Sequence, residues 1–296
     1  MGAGPAGVAG ALWARTLELE PLVIEAAGLG GGQLHEIHFH PRELPGVPSG
    51  DGAEIARAFE RQLAEAAIPV MGGVRVAAIE PASNGTRVRL EDGARMAAPA
   101  VLVATGTRRG RLGVPGEAEL DGRGVFGSAR RELPRLAGRR VAVIGGGDGA
   151  YENALILAAA GCRVVLIVRS HPIARAEFQI RAGSDSGIEI VMPAEVISFS
   201  GEEGRLAIEL ETPAGPAHRE VEAAVVKVGR VPETSACAAL DRDPDGYLVV
   251  DRAFRTSVPG IWAAGDVARP TRPSIGAAFG AAGLALADIR RALRGD

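Results

Sequence analysis

Short unbroken apolar runs punctuate the chain, and most stand beside a glycine-rich turn or a charged residue. Leu22-Val23-Ile24 ends at Glu25, Val141 to Ile144 runs into Gly145, and Val164 to Val168 ends at Arg169. Runs this short, bounded by turn signals, predict buried strands, and the longer stretches after Gly7 and Ala150 read as helices. Each segment is therefore predicted as a βαβ unit. Later in each half come strands with an antiparallel look. Thr86 to Glu91 pairs with Arg95 to Ala98 around an Asp92-Gly93 turn, and Leu206 to Thr212 is followed by His218 to Ala223. Each half closes on a short buried strand, Ala100 to Ala104 and Ala224 to Val228. Ile261 to Ala264 then returns to the first pattern, with Gly265-Asp266 as its loop and a helix from Ser274 to Leu293.

The two halves repeat one architecture, which implies two nucleotide sites. The expected fold is α/β, with two Rossmann-like, three-layer ββα dinucleotide-binding domains. Residues 1–107 and 236–296 form the first, and residues 108–235 form a second inserted into it. The crossings fall near Thr107 to Gly113 and Gly229 to Ser235, both rich in Gly, Pro, Arg or Thr. Such a domain needs a buried strand before its glycine turn. Here the turn starts at Gly2, so the first strand is expected to be missing.

Composition narrows the classes. The chain has 296 residues, 47% of them hydrophobic, and a net charge of -3. There is no basic field of the kind that marks a nucleic-acid binder. The apolar Gly/Ala-rich run between Pro273 and Asp288 is too short for a membrane span of roughly 20 residues. Two isolated cysteines, Cys162 and Cys237, exclude a disulfide scaffold and fit a reducing, cytoplasmic setting. Lys227 is the only lysine.

Chemistry begins at the glycine turns. In GAGPAG, Gly2 makes the strand-to-helix turn, Gly4 lets the backbone approach a pyrophosphate, and Gly7 lets helix and strand pack closely, with Pro5 and Ala6 between them. Free N–H groups at the helix start then take the phosphate. Glu25 ends the next strand, where an acid can take both ribose hydroxyls. The second turn is GGGDGA, with Gly145, Gly147, Asp148 and Ala150. Its next strand ends in Arg169, with Arg175 nearby. Arginine grips a 2′-phosphate that an acid would repel, which favours NADPH over NADH.

Taken together, GAGPAG, Gly31-Gly32-Gln33-Leu34, Ala104-Thr105-Gly106 with Val114-Pro115-Gly116-Glu117, GGGDGA, and Ala263-Ala264-Gly265-Asp266-Val267 resemble the low-molecular-weight thioredoxin reductase family over essentially the whole chain. The resemblance implies FAD, and usually a homodimer. It implies that Gly32, Gln33 and Leu34 line the flavin and that Gly265 and Asp266 hold the ribityl chain, beside Ala104, Thr105 and Gly106. A carboxylate at a strand's C-terminal end suits Asp266 to accept from a sugar hydroxyl. The last helix, starting near Ser274 and Ile275, would point its positive end at the flavin pyrimidine edge.

The chain departs from that family in one decisive place. A Cys-x-x-Cys is expected just before the second glycine turn, and Ser128 and Arg131 stand at its positions. Neither carries a thiolate. The family's His-Arg-Arg is reduced to Val168-Arg169-Ser170. The leading expectation is therefore a dithiol-free branch resembling ferredoxin/flavodoxin–NADP reductases, passing electrons from NAD(P)H through flavin to an external acceptor, with no side chain assigned as catalytic. Alternatives are direct reduction of small disulfides or quinones, and a flavin-binding module without turnover. His35, His38 and His40 match no metal-ligand spacing, and with Phe39 are expected to pack near the flavin rim or at a contact between copies; no metal is expected.

Overall fold

The computed structural model describes residues 1–28, 30–37, 40–41, 44–47, 49–82, 85–269 and 273–295. The chain forms two compact units, Met1–Arg108 with Val231–Asp296, and Arg109–Arg230.

In the first unit, α1 (Pro5–Thr16) follows the GAGPAG turn and leads to β1 (Val23–Glu25). Helix α2 (Gly52–Glu65) starts on a capping box, with the Asp51 carboxylate accepting from Glu54 N and the Glu54 carboxylate from Asp51 N. That satisfies two otherwise orphaned donors. Strand β2 (Val70–Gly72) lies parallel to β1. Three antiparallel strands follow, β3 (Val76–Ala82), β4 (Gly85–Leu90) and β5 (Arg95–Ala98), and then β6 (Val101–Val103). Met1 and Gly2 bridge β1 and β6, where a gap in the sheet was expected. Gly2 N donates to Ile24 O, the Met1 amine to Leu102 O, and Ala104 N to Met1 O.

The chain crosses over at β7 (Thr107–Arg109). The second unit contains β8 (Val125–Phe126), α3 (Ala129–Leu136), β9 (Arg140–Ile144), α4 (Asp148–Ala159), β10 (Arg163–Ile167), α5 (Ala176–Ser184) and β11 (Ile188–Val191). Next come β12 (Glu195–Glu202), β13 (Arg205–Thr212), β14 (Gly215–Val221) and β15 (Ala223–Val226). The main sheet is parallel, in the order β11-β10-β9-β15-β8, while β12-β13-β14 is antiparallel.

Successive strand residues point to opposite faces, and here each face has its own cover. Val141, Val143, Val164, Leu166, Ala223 and Val225 pack with Ala150, Tyr151 and Ala154 of α4. Ala142, Ile144, Val165, Ile167, Ala224 and Val226 pack with Phe199, Leu206, Ile208 and Leu210 of the antiparallel sheet. Burial on both faces is why these strands read as continuous apolar runs, and it makes the three layers.

The chain returns through β16 (Arg230–Pro232) to β17 (Ile261–Ala263), parallel to β6, and ends on α6 (Ile275–Arg294). Helices α1 and α6 are joined by small residues, with Ala6, Ala9, Ala278 and Ala282 in one cluster with Ala104 and Ala264. Such residues let helix backbones approach closely. No helix among the described residues is long and apolar enough to cross a membrane.

Candidate functional site

Both glycine turns carry the same steric logic. A Cβ on Gly2 would stand 2.4 Å from Ala104 O, and one on Gly7 would stand 1.8 Å from Gly2 O. In the second turn, a Cβ on Gly145 would stand 2.3 Å from Lys227 O, and Ala150 is fully buried against it. These positions are closed by the chain itself. The middle glycines differ. A Cβ on Gly4 would meet no heavy atom within 4 Å, and one on Gly147 would meet only Ile173, at 3.9 Å. Bare backbone facing open space at a helix start is what a diphosphate requires. Gly4 and Gly147 are the N-cap residues of α1 and α4, and neither helix start has a side-chain cap. The residues present therefore fit a dinucleotide in each unit.

In the first unit, Glu25 holds the turn. Its carboxylate accepts from Ala3 N at 2.6 Å and Ala27 N at 2.8 Å. Each oxygen keeps a further lone pair for a hydroxyl. The Gly31-Gly32 corner packs on this turn. Gly31 N donates to Ala3 O at 2.7 Å, a Cβ on Gly32 would stand 3.5 Å from Gly4 Cα, and Gly30 N donates to Glu60. Gln33 Nε2 donates to Thr107 Oγ1 and Asp266 Oδ2, both at 3.1 Å, and a Cβ on Gly106 would lie 3.4 Å from Nε2. Gln33, Gly106 and Asp266 thus converge from three distant segments. Gly265 turns the chain after β17 against Ala6, and Ser274 caps α6 by accepting from Ala277 N, with Ile275 buried behind it.

Two expected flavin neighbours do other work. Leu34 is buried in the core with Ile55 and Phe59, because its short 3-10 turn directs it inward. The Thr105 hydroxyl donates to Glu233 O at 2.6 Å and ties down the returning segment. Thr107, two residues on, supplies the hydroxyl that meets Gln33. The signal for it was only its place beside Ala104-Thr105-Gly106. His35 and His40 place ring nitrogens on the carbonyls of Gly30 and Gly50. His38 and Phe39 lie outside the described residues.

In the second unit, Arg169 is exposed just beyond the end of β10. Arg175 is tied to the glycine turn. Its backbone N donates to Asp148 Oδ1 at 2.7 Å and its Nε to Oδ2 at 2.9 Å, while its guanidinium lies 4.5 Å from the Phe178 ring centroid. Asp148 is therefore an anchor for the 173–175 loop, which also donates from Ile173 N and Ala174 N to Gly146 O. Lys227, which the motif reading passed over, follows β15 and reaches this turn as well. Its one signal was being the single lysine after a buried strand.

Ser128 and Arg131 sit at the start of α3. The Ser128 hydroxyl accepts from Arg131 N, and Ala129 N donates to Asn153 Oδ1 at 2.7 Å. The serine thus serves as a helix cap. Cys162 and Cys237 are buried in different units. Burial pushes the Cys237 thiol up to about 11, far from a reactive thiolate.

The family model described as pyridine nucleotide-disulphide oxidoreductase matches residues 1–283. The chain is 32% identical over 274 residues to a flavoprotein-family relative in Pseudomonas putida, a component of its alkyl hydroperoxide reductase. That match covers 90% of this chain and 52% of the relative, so the chain spans about half of that protein's length. It is 30% identical to the thioredoxin reductase of Listeria innocua, covering 96% of this chain and 90% of the relative. The solved thioredoxin reductase of T. acidophilum superposes with a TM-score of 0.86 at 27% identity, covering 99% of this chain and 97% of that one.

Proposed function

The chain belongs to the pyridine nucleotide-disulphide oxidoreductase family, as a thioredoxin reductase-like flavoprotein oxidoreductase, and we propose that it uses NAD(P)H, through FAD, to reduce a small disulfide or quinone directly. FAD, when bound, supplies the chemistry that accepts a hydride from the nicotinamide and passes the electron pair on. The carrying observation is the pair of glycine turns, each closed by its own chain at the outer positions and open at Gly4 and Gly147.

The unit containing Gly2, Gly4, Pro5, Ala6 and Gly7 is read as the FAD domain. There Glu25 holds the ribose, Gly32, Gln33, Gly106 and Asp266 flank the flavin and ribityl chain, and the start of α6 at Ser274 stabilises negative charge. The unit 109–230 is read as the coenzyme domain, with the α4 start on the diphosphate. Arg169 and Arg175 face a 2′-phosphate, which supports NADPH over NADH. By the family relation, the partner is a second copy of the chain and the setting cytoplasmic.

The acceptor is where the first expectation changes. The relatives described above are thioredoxin and alkyl hydroperoxide reductases, not ferredoxin or flavodoxin reductases. This favours a disulfide-type acceptor. With Ser128 and Arg131 at the dithiol positions, no internal relay stands between flavin and acceptor.

The test is an anaerobic titration of FAD-loaded protein. One equivalent of NADPH bleaches the colour fully, since no dithiol takes up a second electron pair. Cystine or a naphthoquinone then restores it faster than ferredoxin does. Colour that persists under both NADPH and NADH would reduce the chain to a flavin-binding module. Faster recovery with ferredoxin would return the acceptor to the electron-carrier proteins.

A further inference from the structure

Lys227 is the only lysine of the chain, and it stands on the glycine turn of the second unit. Its backbone N donates to Ile144 O at 2.8 Å, at the end of β9, and its carbonyl is the atom that makes Gly145 obligatory. Its side chain runs along the first turn of α4, with Cε 3.2 Å from where a Cβ on Gly149 would stand. The ammonium donates to Gly127 O at 3.3 Å, beyond the end of β8. Gly127 is held from its other side by Arg109, whose Nη1 would lie 2.5 Å from a Cβ there and whose Nη2 donates to Asp121 at 2.8 Å.

We propose that Lys227 is a coenzyme-anchoring residue whose ammonium binds the diphosphate of NAD(P)H on its nicotinamide side. The strand order carries this. In the parallel sheet, β10 lies on one side of β9 and β15 on the other. A dinucleotide crosses the carboxyl ends of the strands where the order reverses, with its diphosphate on the helix that follows the glycine turn. Its adenosine half lies toward β10, where Arg169 stands. The second phosphate and the nicotinamide half must then pass over β15, where Lys227 stands. The α4 start offers backbone amides without a side-chain cap, and the acid of its first turn, Asp148, is engaged by Arg175. The Lys227 ammonium therefore supplies the positive charge on that flank. The diphosphate is common to both coenzymes, so Lys227 acts on affinity for either, while Arg169 acts on the choice between them.

The inference rests on reading unit 109–230 as the coenzyme domain, and its test separates the two. Calorimetry on FAD-loaded protein compares ADP-ribose, which has the diphosphate, with AMP, which lacks it. Lys227→Met is expected to weaken ADP-ribose binding about tenfold, in the range of a hydrogen bond to a charged group, and to leave AMP within twofold. Lys227→Arg, which keeps the charge, should stay within about threefold for both. Acetylation by an amine-selective reagent should modify Lys227 and be slowed by ADP-ribose but not by AMP. Unchanged ADP-ribose binding in Lys227→Met, or an equal loss of AMP, would overturn the assignment. Wild-type protein that binds neither probe would instead overturn the coenzyme-domain reading itself.

Discussion

Removing the Glu25 carboxylate tests the FAD site where a side chain props the glycine turn. Glu25→Ala deletes two charge-assisted hydrogen bonds, from Ala3 N at 2.6 Å and from Ala27 N at 2.8 Å. They are not equivalent. Ala27 is exposed, and water replaces its lost partner. Ala3 is fully buried, so its amide stays unsatisfied at a cost of about 2 kcal/mol. That amide belongs to the turn whose geometry a diphosphate needs. If the penalty falls wholly on the competent turn, FAD affinity drops about thirtyfold, since 1.4 kcal/mol is about tenfold. Lost ribose hydroxyl contacts add to this. Glu25→Gln should fall between, because a carboxamide accepts on one side only and sets an N–H against the other donor. The assay is reconstitution of apoprotein with FAD, followed by quenching of flavin fluorescence, with apoprotein melting as a control for folding. Affinity within threefold of wild type in a folded Glu25→Ala protein would refute both roles, the prop and the ribose ligand.

Further outcomes follow from the same geometry. Gly7→Ala drives a methyl to 1.8 Å from Gly2 O, so α1 must shift at a cost of a few kcal/mol; the purified variant should be colourless, and a yellow one would show that the turn yields. Arg169→Ala should raise the KM for NADPH about tenfold and that for NADH less than threefold, and equal effects would remove the 2′-phosphate role. Asp288, buried in α6, accepts from Arg255 and from Trp262 Nε1 at 3.0 Å, and the Arg255 guanidinium holds its carboxyl below the usual carboxylate range. A lowered acid adds stability that is complete above its ordinary pKa and is lost as pH falls through the lowered one. Melting temperature against pH should therefore lose part of its acid-side slope in Asp288→Asn, and an unchanged slope would assign that slope to other groups.

What could be read from the chain, and what could not, divides along a physical line. Strands β9, β10 and β15 were legible because two cores claim their alternate residues, leaving no polar position. Strands β3 and β12 were not, because one face of each is exposed and carries Glu80, Glu195 and Ser200. Helix α2 has only Ile55, Ala56, Phe59 and Leu63 as its buried side chains beyond Gly52, yet its capping box at Asp51 and Glu54 was present in the residues and went unused. The site divides the same way. Gly2, Gly4, Gly7, Gly145 and Gly147 announce where backbone must be bare, a demand local to the turn. The Arg175–Asp148 tie joins residues 27 apart and exists only because the 173–175 loop folds onto Gly146. Lys227 reaches its turn only because β15 pairs beside β9, far away along the chain. A glycine motif therefore locates a diphosphate, while strand order decides which cations surround it. For that reason coenzyme binding in this chain turns on Arg169, Arg175 and Lys227 rather than on the motif that revealed the site.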